Sequence, residues 1–444
     1  MMIVIRNVRP WGGEATDVAI VDGVVSAVGS GLPGGTAEIE GKGDLLLPGL
    51  HDHHLHILAL AARKRSVGLA GLVRQDDVCA ALRSAPPGPC VRAVDYDERA
   101  AGVPDRHVLD RWVADRPLRL ADRTGALRVL NSAALAMIGD RQWPPGCERG
   151  ANGEPTGRFW REDQWLASAL PSAPPELAEL GSELVAMGLT GLTDAGARNG
   201  PAEAALLAGA LPQRLVMMGS EELEAGKGYV LGPLKLLLDE REPPEPDALA
   251  NRIRWARDER RAVAAHCVTE GELALYLAAL ELAGGARAGD RIEHGGMIPA
   301  TFVPTIAEAG LMVVTNPAFL HDRGDRYRAT VKQDQWPELY PAAGLARAGI
   351  GLLAGSDAPY ASVDPWLGMR SARDRLTASG EIIGPDERLG GLAALQLYCS
   401  GQIEAGTPAD LILCKGKLSD VLAELSADRV RLTMIAGNMV FSRD

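Results

Sequence analysis

The strongest constraint on this chain is a rhythm. Short apolar runs alternate with Ala/Leu/Glu/Arg-rich stretches through most of its 444 residues. The runs are Leu45–Leu50, Gly191–Asp194, Leu215–Met218, Leu234–Leu238, Val263–His266, Arg291–His294, Leu311–Thr315 and Gly351–Ala354. Strand-like runs separated by helical stretches predict βα units and a parallel sheet. Eight of them suit an α/β fold, a (β/α)8 TIM barrel. Several end in a polar residue, the place where barrel active sites are built. The length leaves room for a smaller companion domain. Apolar residues make up 46% of the chain but aromatic ones only 4%, so Ala, Leu, Gly and Val fill most of the core.

The two ends read differently. Val18–Val21 and Val24–Val28 flank Asp22-Gly23, and Asp-Gly between apolar runs is a hairpin signal. Near the other end, Asp410–Cys414 and Val430–Ile435 read as strands, with Ala436-Gly437-Asn438 turning before Met439–Phe441. These β-rich ends are expected to meet in one small β-sandwich. The predicted organisation is sandwich over 1–47, barrel over 48–398, and sandwich again over 399–444. Residues 65–180 interrupt the βα rhythm as an insertion after the first barrel strand. It holds strand-like Cys90–Val94 and Leu118–Ala121 and Pro-rich stretches at 86–89 and 171–175. A first βα loop lies on the catalytic face, so the insertion is expected to wall the pocket.

Composition excludes several functions. A formal net charge of −12 and a pI near 5.3 argue against a general nucleic-acid or anionic-membrane binder. Six cysteines, at 79, 90, 147, 267, 399 and 414, form no CxxC or tight Cys/His cluster. Reduced thiols are the expectation. The opening MMIVIRNVRPWGG lacks the charged and apolar regions of a secretory signal, and no apolar run approaches a membrane span. A soluble, cytoplasmic protein is expected.

Chemistry concentrates in the histidines. Four of the eight crowd into His51-Asp52-His53-His54-Leu55-His56, straight after an apolar strand. His54 and His56 are spaced i, i+2, which on a strand turns both imidazoles to one face and lets them grip one ion. A histidine-rich surface turn is the alternative. His266 and His294 each close a later run, where a lone histidine is usually a core or loop residue. Asp357 closes the eighth run, as a metal ligand or as an N-cap for the next helix. Lys235 stands inside the apolar run Leu234–Leu238. A buried lysine is costly unless paired or neutralised; alternatively its head reaches solvent or pairs with Asp239. Zinc suits imidazole and carboxylate ligands. Cys267 reads as packing, and Glu270 as a helix-start residue or a supporter of His266. Arg323, Arg326 and Tyr327, after the seventh strand, and Arg123, in the insertion, are candidate substrate contacts.

HxH, His, His and Asp on successive barrel strands resemble the amidohydrolase superfamily, and the resemblance covers essentially the whole chain. Pro48 to His56 looks like the PGLxDxHxH motif, and Gly401 to Leu411 like the GxIxxGxxADL run that marks the return to the sandwich. Asn131–Leu135, Gly153–Gly157 and Asp290–His294 resemble motifs of the amidohydrolase 3, or YtcJ-like, group. Two places depart from that group. Gly125-Ala126 stands where a histidine usually follows the glycine, and Gly295-Gly296 replaces Ala-Gln after the RIEH motif.

The resemblance implies a hydrolase of non-peptide C–N bonds carrying one or two divalent ions, zinc first. His54, His56 and Asp357 would hold one ion and His266 and His294 a second, with carbamylated Lys235 between them. Asp357 would shuttle the proton. Other outcomes are a mononuclear deaminase or decarboxylase, a lactonase or phosphotriesterase, and a non-catalytic oligomeric scaffold. The expected partner is a small-molecule substrate, and a homodimer is the expected assembly.

Overall fold

The computed structural model describes residues 2–123, 125–170, 176–399 and 401–443. The Pro-rich stretch at 171–175 lies outside them. The chain divides into two compact units, one of residues 1–57 with 176–444 and one of residues 58–175.

The first unit contains the barrel. Its parallel strands are β1 (Leu50–Leu55), β2 (Leu189–Asp194), β3 (Arg214–Gly219), β4 (Val230–Leu236), β5 (Val263–Cys267), β6 (Arg291–His294), β7 (Met312–Thr315) and β8 (Leu352–Ala354). They pair in chain order from β1 to β8. The barrel closes just past the strand ends. Asp357 N–H donates to His54 O at 2.7 Å, and His56 N–H donates to Ala358 O at 2.8 Å.

Alternation sorts the side chains. Leu234 and Leu236 of β4, Val263, Ala265 and Cys267 of β5, Ile292 of β6 and Val313 of β7 pack outward. They meet the inner stripes of helices Pro246–Asp258 and Glu270–Leu282, through Leu249, Ile253, Leu273 and Tyr276. The residues between them, Lys235, Ala264, His266, Arg291 and Glu293, take the opposite face of the sheet. Ala264 there joins Ala195 and Met218 in a small buried cluster.

The first barrel strand corrects the sequence reading. Leu45–Pro48 is a sandwich strand, antiparallel to Leu411–Cys414, and the barrel strand begins only at Leu50. Gly49 breaks the run. A Cβ there would lie 2.0 Å from Thr190 Oγ1, so only glycine lets the chain pass β2. Strands from both chain ends share one eight-stranded sheet. It covers a core of Ile3, Ile5, Val18, Ile20, Leu411, Leu413 and Met434. The fold is thus a TIM barrel with a β-sandwich built from both termini. The hairpin at Asp22-Gly23 is present, with φ of 50° and 81° at the two turn residues.

The second unit carries a six-stranded sheet. Val91–Tyr96 pairs in parallel with Leu118–Asp122, close to the two runs expected there. The family-like motifs of this unit have structural tasks. Buried Asn131 caps the helix Ser132–Ala136 through Ala134 N–H and also accepts from Leu118 N–H. Gly157 adopts φ 93°, and a Cβ there would lie 2.4 Å from Leu130 O. No helix among the described residues is long and apolar enough to cross a membrane.

Candidate metal centre

The strand ends of the barrel bring the predicted site residues together. Buried His54 is the last histidine of β1, and His56 follows the strand with a side chain 26% exposed. Asp357 lies just beyond β8. Its Oδ1 is 3.3 Å from His54 Nε2 and 3.2 Å from His56 Nε2. His294, ending β6, places Nδ1 3.9 Å from Asp357 Oδ2. Its ring centroid is 4.5 Å from that of His54 and 4.6 Å from that of His266. His294 and Asp357 both adopt left-handed backbone, with φ of 70° and 56°. Such conformations are costly for residues other than glycine and gather at functional sites.

The donor set fits a divalent ion. Two ligand atoms bound at about 2.0–2.1 Å to one tetrahedral ion lie roughly 3.3 Å apart. The His54–Asp357 and His56–Asp357 separations, 3.3 and 3.2 Å, match that spacing. One ligand atom from each of His54, His56 and Asp357 falls within 4.8 Å of the others. Buried His54 Nε2, Asp357 Oδ1 and Lys235 Nζ have no hydrogen-bond partner. Buried polar atoms are rarely left so, and an ion is one way to satisfy them.

A buried frame orients these ligands. Glu293, fully buried, accepts from His54 Nδ1 and from Arg291 Nε. That bond points Nε2 of His54 at Asp357, as carboxylates behind metal-binding histidines do. Arg291 Nη2 also donates to His53 O at 3.0 Å. Asn316 Oδ1 lies 2.8 Å from His294 Nδ1, and its amide donates to Gly355 O at 2.8 Å. Asp52 accepts the amides of His54 and Ser356. Gly355 has no room for a side chain, since a Cβ would lie 2.4 Å from His54 N.

Opposing charges set the ionisation of these groups. Burial alone would raise the pKa of Asp357, but His294, His54 and His56 hold it well below the usual carboxylate range. Burial and Lys235 push His54 down, yet Glu293 and Asp357 outweigh them and raise it. Burial takes His266 down to about 4, with Lys235 adding to the effect. Burial lowers the Lys235 pKa against the opposing pull of Glu293.

The open alternatives resolve in part. The Lys235 side chain is 3% exposed and lies 4.0 Å from Glu293, while Asp239 pairs with Arg241. Glu270 begins the helix Glu270–Leu282, and Glu272 is the carboxylate that lies 3.9 Å from His266. Cys267 packs in the outer core. Of the crowded histidines, His51 and His53 stand apart from the ligand cluster. They stack on each other at 4.2 Å, and His51 Nε2 lies 2.8 Å from Thr193 Oγ1. Arg323 donates to Tyr360 O, and the Tyr360 ring is 5.6 Å from His56. Tyr327 and Tyr340 pair through their hydroxyls at 3.2 Å. Arg326 is exposed and makes no ion pair among the described residues. Arg123, in the second unit, is bonded to Glu98 at 3.1 Å.

Sequence reasoning gave no role to Glu293, Asn316 or Tyr360. Glu293 had a signal, since it shares a strand face with Arg291 in an apolar run. Asn316 and Tyr360 had none, because their tasks exist only across strands.

The sequence profile of the amidohydrolase family matches residues 37–441. The chain belongs to the amidohydrolase family. This amidohydrolase is 26% identical to the putative amidohydrolase YtcJ of Bacillus subtilis, over 97% of each chain, which places it in the YtcJ-like group. It is 24% identical to the N-substituted formamide deformylase of Arthrobacter pascens, over 100% of this chain and 98% of that one. In structure the amidohydrolase is similar to a metal-dependent hydrolase from Pyrococcus horikoshii OT3. The TM-score is 0.79 at 17% identity, covering 94% of this chain and 98% of the other. That likeness carries the fold.

Proposed function

We propose that this amidohydrolase cleaves a non-peptide C–N bond, an amide or cyclic amide, of a small molecule with water. The observation that carries the reading is the donor set at the barrel mouth, where His54 Nε2 and Asp357 Oδ1 are buried without a hydrogen-bond partner. His54 Nε2, His56 Nε2 and Asp357 Oδ1 converge at ligand spacing. The deformylase relative, named for acting on N-substituted formamides, supports an amide as the bond cleaved.

His54, His56 and Asp357 would hold one divalent ion, with zinc the first choice for this donor set. His266 and His294 would hold a second, with Lys235, as its carbamate, a further ligand. When bound, such an ion would supply Lewis acidity, lowering the pKa of water towards neutrality and polarising a carbonyl. Asp357 does the proton work. Its carboxylate is ionised, and one oxygen, Oδ1, already faces the imidazoles of His54 and His56. It takes the proton of the attacking water and delivers it to the leaving nitrogen. Glu293 and Asn316 keep His54 and His294 turned to the centre. Burial favours the neutral amine of Lys235, the form that adds to CO2 to give a carbamate and a proton.

One observation favours a mononuclear relative instead. Glu293 stands 4.0 Å from Lys235 Nζ and stabilises an ammonium there. With Lys235 charged, one ion remains, and deaminase, decarboxylase or lactonase chemistry becomes the better reading. Elemental analysis of the purified protein separates the two. About two equivalents of metal per chain support the bridged site, and about one supports the mononuclear reading. None after reconstitution overturns both. Asp357→Asn is expected to retain much of the metal and to lose at least about a hundredfold in turnover. Full turnover in that variant removes Asp357 from the proton path.

A further inference from the structure

The turn after Asp357 carries an aromatic ring that the hydrolytic reading leaves without a task. Tyr360 N–H donates to Asp357 O at 2.8 Å, so its backbone belongs to the same turn as the candidate ligand. It meets the His56 ring edge to face, with centroids 5.6 Å apart and planes at 85°. Even so, Tyr360 is 58% exposed. Much of this residue is therefore exposed beside a candidate ligand.

The backbone beneath that ring is braced. Arg323 donates to Tyr360 O at 3.0 Å. The Arg323 guanidinium lies 4.3 Å from the centre of the Phe319 ring, and Phe319 stacks on buried Tyr340. Phe319, Leu320, Leu339, Tyr340 and Ile383 form one buried cluster, with Ala361 packed against it. Tyr360 is thus held next to His56 by a firm base.

We propose that Tyr360 selects substrates with a planar aromatic group attached to the scissile amide. The proposal rests on the hydrolytic reading of the His54–His56–Asp357 centre. A carbonyl held at that centre carries its substituents only a few bonds away. Aromatic rings attract each other at centroid separations of about 4.5–7 Å, offset or edge to face. The Tyr360 ring, 5.6 Å from that of His56, lies within reach of a ring bonded directly to such a carbonyl. The ring carries the selection, so phenylalanine serves in its place and leucine does not.

Two hydroxamates test this, because both chelate a divalent ion through the same group. Acetohydroxamate ends in a methyl and benzohydroxamate in a phenyl ring. Their binding to the metal-loaded full chain is measured by titration calorimetry for wild type, Tyr360→Phe, Tyr360→Leu and Tyr360→Ala. The expected result is a three- to tenfold loss for benzohydroxamate, roughly, in the Leu and Ala variants. Acetohydroxamate binding stays within about twofold throughout, and Tyr360→Phe keeps the wild-type preference. Equal losses for the two probes, or no loss for benzohydroxamate, overturn the role of Tyr360 and leave the metal centre standing. Failure of both probes to bind wild type overturns the metal centre and the selection with it.

Discussion

His54 shows how a candidate ligand is oriented by residues behind it. Glu293 holds its Nδ1 from behind, and Arg291 holds Glu293. Removing such a support typically costs ten- to a hundredfold in metal affinity. Glu293→Gln is therefore expected to weaken metal binding by about that factor, read by competition with a chromogenic chelator. Unchanged affinity shows that His54 needs no brace. The ligand types themselves were legible in the sequence, because HxH at a strand end and a terminal Asp are local patterns. Asn316 was not, since it reaches His294 from the neighbouring strand. His51 was legible only as one more histidine in a crowd. Burial, with Arg291 beside it, drops its pKa from the ordinary 6.5 to about 4. The folded chain refuses a proton that the unfolded chain accepts below pH 6.5. Its stabilising contribution is full above that pH and is lost as pH falls towards 4. His51→Asn, compared with wild type by urea unfolding in chelator, should flatten the fall in stability across this window. The difference approaches roughly 1.4 kcal/mol per pH unit. Identical slopes show that His51 takes up its proton in the folded chain.

Strands β5 and β6 owe their alignment to a buried ion pair. Asp290 precedes β6 and faces Arg257 of the helix Pro246–Asp258 at 2.7 Å. It also accepts the amides of Val263 and Arg287. The first residue of the DRIEH motif is therefore a clip between β5, β6 and a helix, while its last residue is a candidate ligand. Asp290→Ala strands the buried Arg257 charge and is expected to cost about 3–5 kcal/mol in chemical denaturation. A loss below about 1 kcal/mol assigns the aspartate some other task. Seven of the eight barrel strands lay where the apolar runs predicted, because βα alternation is a local signal. The first did not, because Leu45–Leu50 is one run in sequence and two strands in space, divided at Gly49. In the second unit the strands Cys147–Arg149, Pro155–Trp160 and Leu127–Leu130 were not anticipated. They are short or rich in polar residues, and their pairing partners define them more than their own sequences do.

The whole molecule ties metal, fold and chain ends together. An ion that binds only the folded form adds stability by mass action, about 2.7 kcal/mol at a hundred times its dissociation constant. Chelation is therefore expected to lower the melting temperature by several degrees, and zinc to restore it. A melting temperature indifferent to both rules out a site shared by β1 and the turn after β8. The overall architecture was legible from rhythm and end composition. The closing contacts were not, because they join residues about three hundred positions apart, Asp357 to His54 and Ala358 to His56. Those same contacts set a schedule for synthesis. A nascent chain still short of Asp357 has His54 and His56 but lacks the carboxylate between them. The sandwich strand Leu45–Pro48 waits longer still for Leu411–Cys414. An ion held by His54, His56 and Asp357 would thus certify that translation has passed the last barrel strand, and a chain terminated before Asp357 lacks that ligand set.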